Sequence, residues 1–209
     1  FIIDINKSIK EKIKFQGYNL NSISQPIWNP VSDNLIAFIG CNDIQSDIYI
    51  YNLETKELTQ IIDDTFSDQE ISWSVDGQSI LFSSDRGDLE SLVWSNQYDL
   101  YSISLESQEI IQLTNTAYNE HYPISIYSDS LIVCISDQNG IKNIHMLDYN
   151  NQTQQNTTMI TNVFTGITQI TGQNSNIFFT SLNESRFDIY KLDTTLIHTY
   201  QSNQIHNST

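Results

Sequence analysis

The chain has 209 residues, 39% of them hydrophobic and 11% aromatic, enough for one ordinary core or a piece of a larger one. Its 25 acidic and 9 basic residues leave a formal charge of −16, so it lacks the basic footprint that neutralises phosphates, and nucleic acid and anionic membrane surfaces are disfavoured as partners. No run approaches the ~20 apolar residues of a membrane span, and two cysteines outside any CxxC spacing, Cys41 and Cys134, exclude a thiolate zinc cluster.

The chain opens on Phe1 rather than Met, which reads as a piece cut from a longer protein. Phe1 to Asn6 looks like one short strand and Glu11 to Lys14 like another. From there a repeat sets in, and a period of about 40–50 residues is the mark of blade-like arrays. In the first copy, Pro26-Ile27-Trp28-Asn29-Pro30 is followed by Asn34 to Phe38, then Asp47 to Leu53, then Glu57-Leu58-Thr59. The second copy runs Ile71-Ser72-Trp73-Ser74-Val75-Asp76-Gly77, Ser79 to Asp85, Tyr98 to Ile103 and Ile111 to Thr114. Trp28 and Trp73 are 45 residues apart, and Phe38 and Phe82 are 44 apart.

Two weaker copies follow. One has Pro123 to Ser125, Leu131 to Asp137, Lys142 to Asp148 and Met159 to Thr161. The other has Ile167 to Ile170, Asn176 to Ser181, Asp188 to Asp193 and Leu196 to Tyr200. The third-strand markers Asp47, Asp99, Asn143 and Asp188 are separated by 52, 44 and 45 residues. The long step is an insertion between Arg86 and Gln97, tolerable because loop-closure entropy rises slowly with length. Each unit is four short strands with turn chemistry between them, and Asp76-Gly77 is a strong hairpin signal. One such unit cannot bury both sheet faces, whereas stacking units around an axis does so.

Trp73-Ser74-Val75-Asp76-Gly77, Ser84-Asp85-Arg86-Gly87, Asp99-Leu100-Tyr101 and Gln112-Leu113-Thr114 together resemble the TolB-type propeller repeat, a relative of WD-repeat blades. The expected fold is therefore all-β: an incomplete β-propeller arc of four-stranded antiparallel blades. It holds a half-blade over 1–14 and blades over about 25–62, 69–114, 120–161 and 165–200. In this reading the Trp plugs the end of the innermost strand, the Asp-Gly turn supplies positive φ, and the Asp before Ile-Tyr accepts backbone N–H bonds. The resemblance implies protein or peptide contacts in the cell envelope, in the periplasm or otherwise exported.

Chemistry-bearing motifs are sparse. The sequence contains no Gly-x-Ser-x-Gly elbow, Walker loop, HExxH or EF-hand spacing, and its 7 glycines draw no phosphate cradle. No cofactor or metal is expected, and no enzymatic activity of the chain's own. The channel and rim candidates are His121, Glu120, Glu70, Asp85 and Arg86. His121, just before an innermost strand, reads either as a loop histidine bonded to a neighbour or as a contact at the channel mouth. Asp85-Arg86-Gly87-Asp88 reads as a solvated loop with an ion pair worth little, or as a polar rim. His145 reads as a packed strand residue, and both cysteines as buried free thiols. The acid excess reads as a solvated surface or as an attraction for a basic partner. The function expected is a non-catalytic binding propeller; the alternatives are the substrate-gating propeller of a larger serine peptidase and, less favoured by four scattered histidines, a polysaccharide-processing enzyme.

Overall fold

The computed structural model describes residues 2–4, 9–11, 13, 17–87, 94–126, 128–148, 157–173 and 176–194. The structure is all-β, with no α-helix among those residues. Strands β1 (Ile2–Asp4) and β2 (Ile9–Glu11) form a two-stranded sheet. Blade 1 pairs β3 (Ser22–Trp28), β4 (Leu35–Cys41), β5 (Ser46–Asn52) and β6 (Leu58–Gln60) in chain order. Blade 2 is β7 (Asp68–Trp73), β8 (Ser79–Arg86), β9 (Trp94–Ser104) and β10 (Ile110–Gln112). Blade 3 is β11 (Glu120–Ile126), β12 (Ser128–Ser136), β13 (Asn143–Asp148) and β14 (Thr157–Met159). Blade 4 shows β15 (Ile167–Gln173), β16 (Asn176–Asn183) and β17 (Arg186–Asp193); its expected fourth strand, Leu196 to Tyr200, lies outside the described residues.

Turn chemistry builds the hairpins as expected. Gly77 has φ +70 and donates its N–H to Ser74 O at 3.0 Å, while Asp76 accepts from Ser74 Oγ and Gln78 N. Part of the inserted segment is strand rather than loop: β9 starts at Trp94, which pairs with Arg86.

Strand alternation then decides which face meets which neighbour, because successive side chains point to opposite faces. Ala37, Ile39, Ile48 and Ile50 of blade 1 pack on Ile71, Trp73, Ile80, Phe82 and Tyr101 of blade 2. Leu81, Leu100 and Leu113 of blade 2 meet Ile132, Cys134 and Leu147 of blade 3 in a smaller cluster. Val133, Ile135 and Ile144 of blade 3 pack on Ile167, Ile170, Ile177 and Phe179 of blade 4. The far face of blade 1, with Phe38 and Tyr49 stacked at 5.7 Å, is covered by Ile13, Tyr18 and Leu20.

The plug role holds for one Trp only. Trp73 is buried and its indole N–H donates to Ile27 O of the preceding blade at 3.3 Å. Trp28 is 54% exposed. Cys134 is a buried free thiol as expected, whereas Cys41 is only half-buried.

Candidate functional site

The first strand of each blade lines the axis. Gln25 of blade 1, Glu70 of blade 2 and Tyr122 of blade 3 sit at matching positions, each three residues before Trp28, Trp73 and Ser125. All three have positive φ, +53, +57 and +53, inside a β-bulge of the first strand. A bulge breaks the ladder and re-aims a side chain. Here it turns the bulged side chain toward the next blade, where it captures a free backbone N–H. Gln25 Oε1 accepts from Ile71 N at 3.3 Å, and Glu70 Oε2 accepts from Tyr122 N at 3.2 Å. The bulges therefore form a relay running from blade to blade at one end of the channel.

His121 joins this relay. Its Nδ1 lies 2.8 Å from Glu70 Oε2, and its ring sits 5.4 Å from that of Tyr98. His121 thus bonds a neighbouring blade, though from within strand β11 rather than from a loop. Glu70 and Tyr122 also border a channel cavity of about 600 Å³ that runs to Trp28, Pro30 and Val75 at the other end. Ser72 Oγ donates to Pro123 O at 2.6 Å across its wall. One end of the cavity is therefore polar, and the other is apolar with Trp28 and Val75 exposed.

Glu120 and Arg86 are elsewhere, buried between blades, and the solvated-loop reading of Arg86 is corrected. Its side chain is 3% exposed and pairs with Asp64 at 3.1 Å and Asp68 at 2.6 Å, with Nε donating to Ser84 Oγ. Its guanidinium lies 5.2–5.5 Å from the ring centres of Phe66, Phe82 and Tyr101. Blade stacking, not the local sequence, encloses it. Asp85, half-buried in the same strand, accepts from Ser67 N at 2.8 Å; Asp88 lies outside the described residues.

Glu120 is fully buried and stands where Asp68 stands in blade 2, since Asp68 pairs with Ser84 as Glu120 pairs with Ser136. Two residues beyond those serines blade 2 has Arg86 and blade 3 has Gln138. Burial pushes Asp68 up to about 7 against the pull of Arg86. Glu120, with no such cation, is likewise pushed up by burial and by the Asp99 carboxylate. Its Oε1 accepts from Thr116 Oγ1 at 2.7 Å, and its Oε2 lies 3.3 Å from Thr114 Oγ1.

The third-strand markers show a related device. Thr114 Oγ1 accepts from Leu100 N and donates to Asp99; Thr161 Oγ1 accepts from Ile144 N and donates to Asn143 Oδ1. The marker also accepts the N–H of Thr116 or Val163 in the linker leaving the blade. In blade 1 the bond Ile61 N to Ile48 O matches Leu113 N to Leu100 O, so buried Ile62, not Thr59, occupies the Thr position. Asp47 Oδ1 is accordingly left buried without a partner. Burial raises the Asp47 carboxyl to about 6. A folded-state value above the unfolded one favours folding below about pH 4, and that contribution is lost as pH rises through about 6. Asp47→Asn, which copies Asn143, is expected to remove roughly 1–2 kcal/mol of that decline. Urea midpoints at acid and neutral pH check it; an unchanged slope rejects the missing donor as its cause.

No family model matches the sequence, and no curated protein matches it. Among solved structures, TolB from Acinetobacter baumannii is similar with a TM-score of 0.67 at 18% identity, over 83% of this chain and 41% of that one. Puromycin hydrolase is similar with a TM-score of 0.67 at 11% identity, over 92% of this chain and 30% of that one. Oligogalacturonate lyase in complex with manganese follows with a TM-score of 0.58 at 17% identity, over 82% and 48%. This chain thus spans less than half the length of each. At such identities the likeness is one of architecture, and the architecture is that of a TolB-like β-propeller.

Proposed function

We propose that the chain is a non-catalytic binding module whose channel receives a segment of a protein or peptide. The observation that supports this most is the graded cavity: an apolar end at Trp28 and Val75, and a polar end at Glu70 and Tyr122, with Glu70 bonded to His121. Clefts of roughly 300–1,000 Å³ with apolar walls and a few placed polar groups are the usual form of ligand sites. An exposed Trp is the side chain most enriched among residues that dominate binding energy. The exported location implied by the family resemblance belongs to the same proposal.

A second reading is the substrate-gating propeller of a larger serine peptidase, which the likeness to puromycin hydrolase favours. On that reading a separate domain would hold the nucleophile, and the reading of the complete gene distinguishes the two. Function on a propeller is set by the site and not by the fold.

The test is selection of peptides from a displayed random library on the intact chain, followed by titration of the winners against channel variants. Trp28→Ala is expected to weaken selected peptides at least about tenfold, which is roughly 1.4 kcal/mol. Peptides that bind Trp28→Ala and Glu70→Gln as tightly as the parent would place the binding surface outside the channel and overturn the proposal.

A further inference from the structure

The junction between blades 2 and 3 differs from its neighbours. Among the described residues its apolar cluster holds six buried side chains, against eleven between blades 1 and 2 and nine between blades 3 and 4. Beside that small cluster lie two buried carboxylates, Asp99 and Glu120, bridged by one hydroxyl: Thr114 Oγ1 lies 3.5 Å from Asp99 Oδ1 and 3.3 Å from Glu120 Oε2. The donors that reach them are Thr116 N and the hydroxyls of Thr114 and Thr116. A hydroxyl has one proton, so Thr114 cannot serve both carboxylates at once. Among the described residues no ion pair reaches either acid. Two buried carboxylates so placed cannot both ionise cheaply.

We propose that a proton held between Glu120 and Asp99 clasps blade 2 to blade 3, and that its loss on the alkaline side opens this junction and with it the channel wall. The wall follows because Glu120 directly precedes His121 on β11. The same strand carries the bonds to Glu70 and Ser72 that border the cavity. The groups that face the clasp are Asp99 from β9, Cys134 from β12 and His145 from β13, with Glu70 and His121 on the channel side. His145 Nε2 and Ser83 Oγ are buried without partners in the same two blades, so the junction has little polar reserve once the proton leaves. In blade 2 the matching carboxylate, Asp68, has a cation, Arg86, at 2.6 Å, which Glu120 lacks.

Cys134, fully buried in this junction, reports its opening. The test is the rate of iodoacetamide labelling of Cys134 in the full chain carrying Cys41→Ser, read by intact mass. Glu120→Gln keeps a donor toward Asp99 without an ionisable group. Gln138→Arg supplies the cation that blade 2 has at this place. Near pH 6 all three proteins are expected to label at similar rates. Near pH 9 the parent is expected to label about tenfold faster than either variant, one unit of proton affinity being a factor of ten in opening. Labelling takes place in the opened junction, where the Cys134 thiol is solvated in all three proteins, so its ionisation cancels in the ratio. If Glu120→Gln does not fold, the parent against Gln138→Arg gives the same comparison. Ratios that stay the same from pH 6 to pH 9 overturn the proposal.

Discussion

Arg86→Met is expected to cost about 3–5 kcal/mol in urea unfolding at neutral to alkaline pH, the usual penalty for removing one partner of a buried pair. The loss comes less from the contacts of Arg86 itself than from what it leaves behind. Asp68 is fully buried, and its Oδ2 already lacks a partner. Without the guanidinium at 2.6 Å from Oδ1, its charge has nothing near it to offset desolvation. Burial already lifts this carboxyl to about 7 with Arg86 in place, and its loss lifts it further. A group raised in the folded state is stable while it holds a proton and loses that contribution as pH rises through its folded value. The cost of the substitution is therefore expected to shrink toward acid pH and grow above neutrality. Asp68→Asn added to Arg86→Met is expected to recover a large part of the loss, since the pair acts as a unit. A penalty under about 1 kcal/mol, or one that does not change with pH, would show that Arg86 serves only as packing.

Trp73→Ala is expected to cost roughly 3–5 kcal/mol, as for other buried large aromatics. The indole packs among Ile27, Ile71, Ile80 and Phe82, in the largest apolar cluster among the described residues, and its N–H reaches Ile27 O. Removing it leaves a hole between two sheets that backbone ladders hold in place, so the site collapses poorly. Trp28→Ala gives the internal contrast. That ring is 54% exposed, so its loss is expected to cost under about 1 kcal/mol of stability while weakening channel binding. Denaturant melts of the two variants side by side decide it: equal losses would mean that the blade position, not the burial, sets the effect.

Much of the fold was legible because strand and turn preferences are local. The Asp76-Gly77 pair announces a turn that needs positive φ at Gly77, and it forms one. The runs Ile36 to Ile39 and Ile80 to Ser83 announce strands that end up buried on both faces. Register was less legible. Leu58-Thr59 looks like Leu113-Thr114, yet β6 pairs Gln60 with Tyr49 as β10 pairs Gln112 with Tyr101. That moves the comparison by three residues and puts Ile62 where a hydroxyl was expected. A short edge strand carries too few side chains to announce its own pairing.

The candidate site was legible in one part only. His121 drew notice because it precedes an innermost strand, and it does reach Glu70. The bulge relay of Gln25, Glu70 and Tyr122 carries no sequence mark, since positive φ fell on Gln, Glu and Tyr rather than on glycine. Three bulged first strands brought to one axis create it.

From the residues alone followed the repeat, the four-strand unit, the hairpin turns and the poverty of catalytic motifs, because each rests on chain neighbours a few positions apart. Tertiary structure decided which charges are buried. Arg86, Asp68, Asp47 and Glu120 look like surface residues in the chain and become enclosed only when a second sheet lies against the first. Desolvation belongs to the neighbouring blade, which is distant in sequence, and so the ionic character of the junctions was settled by stacking.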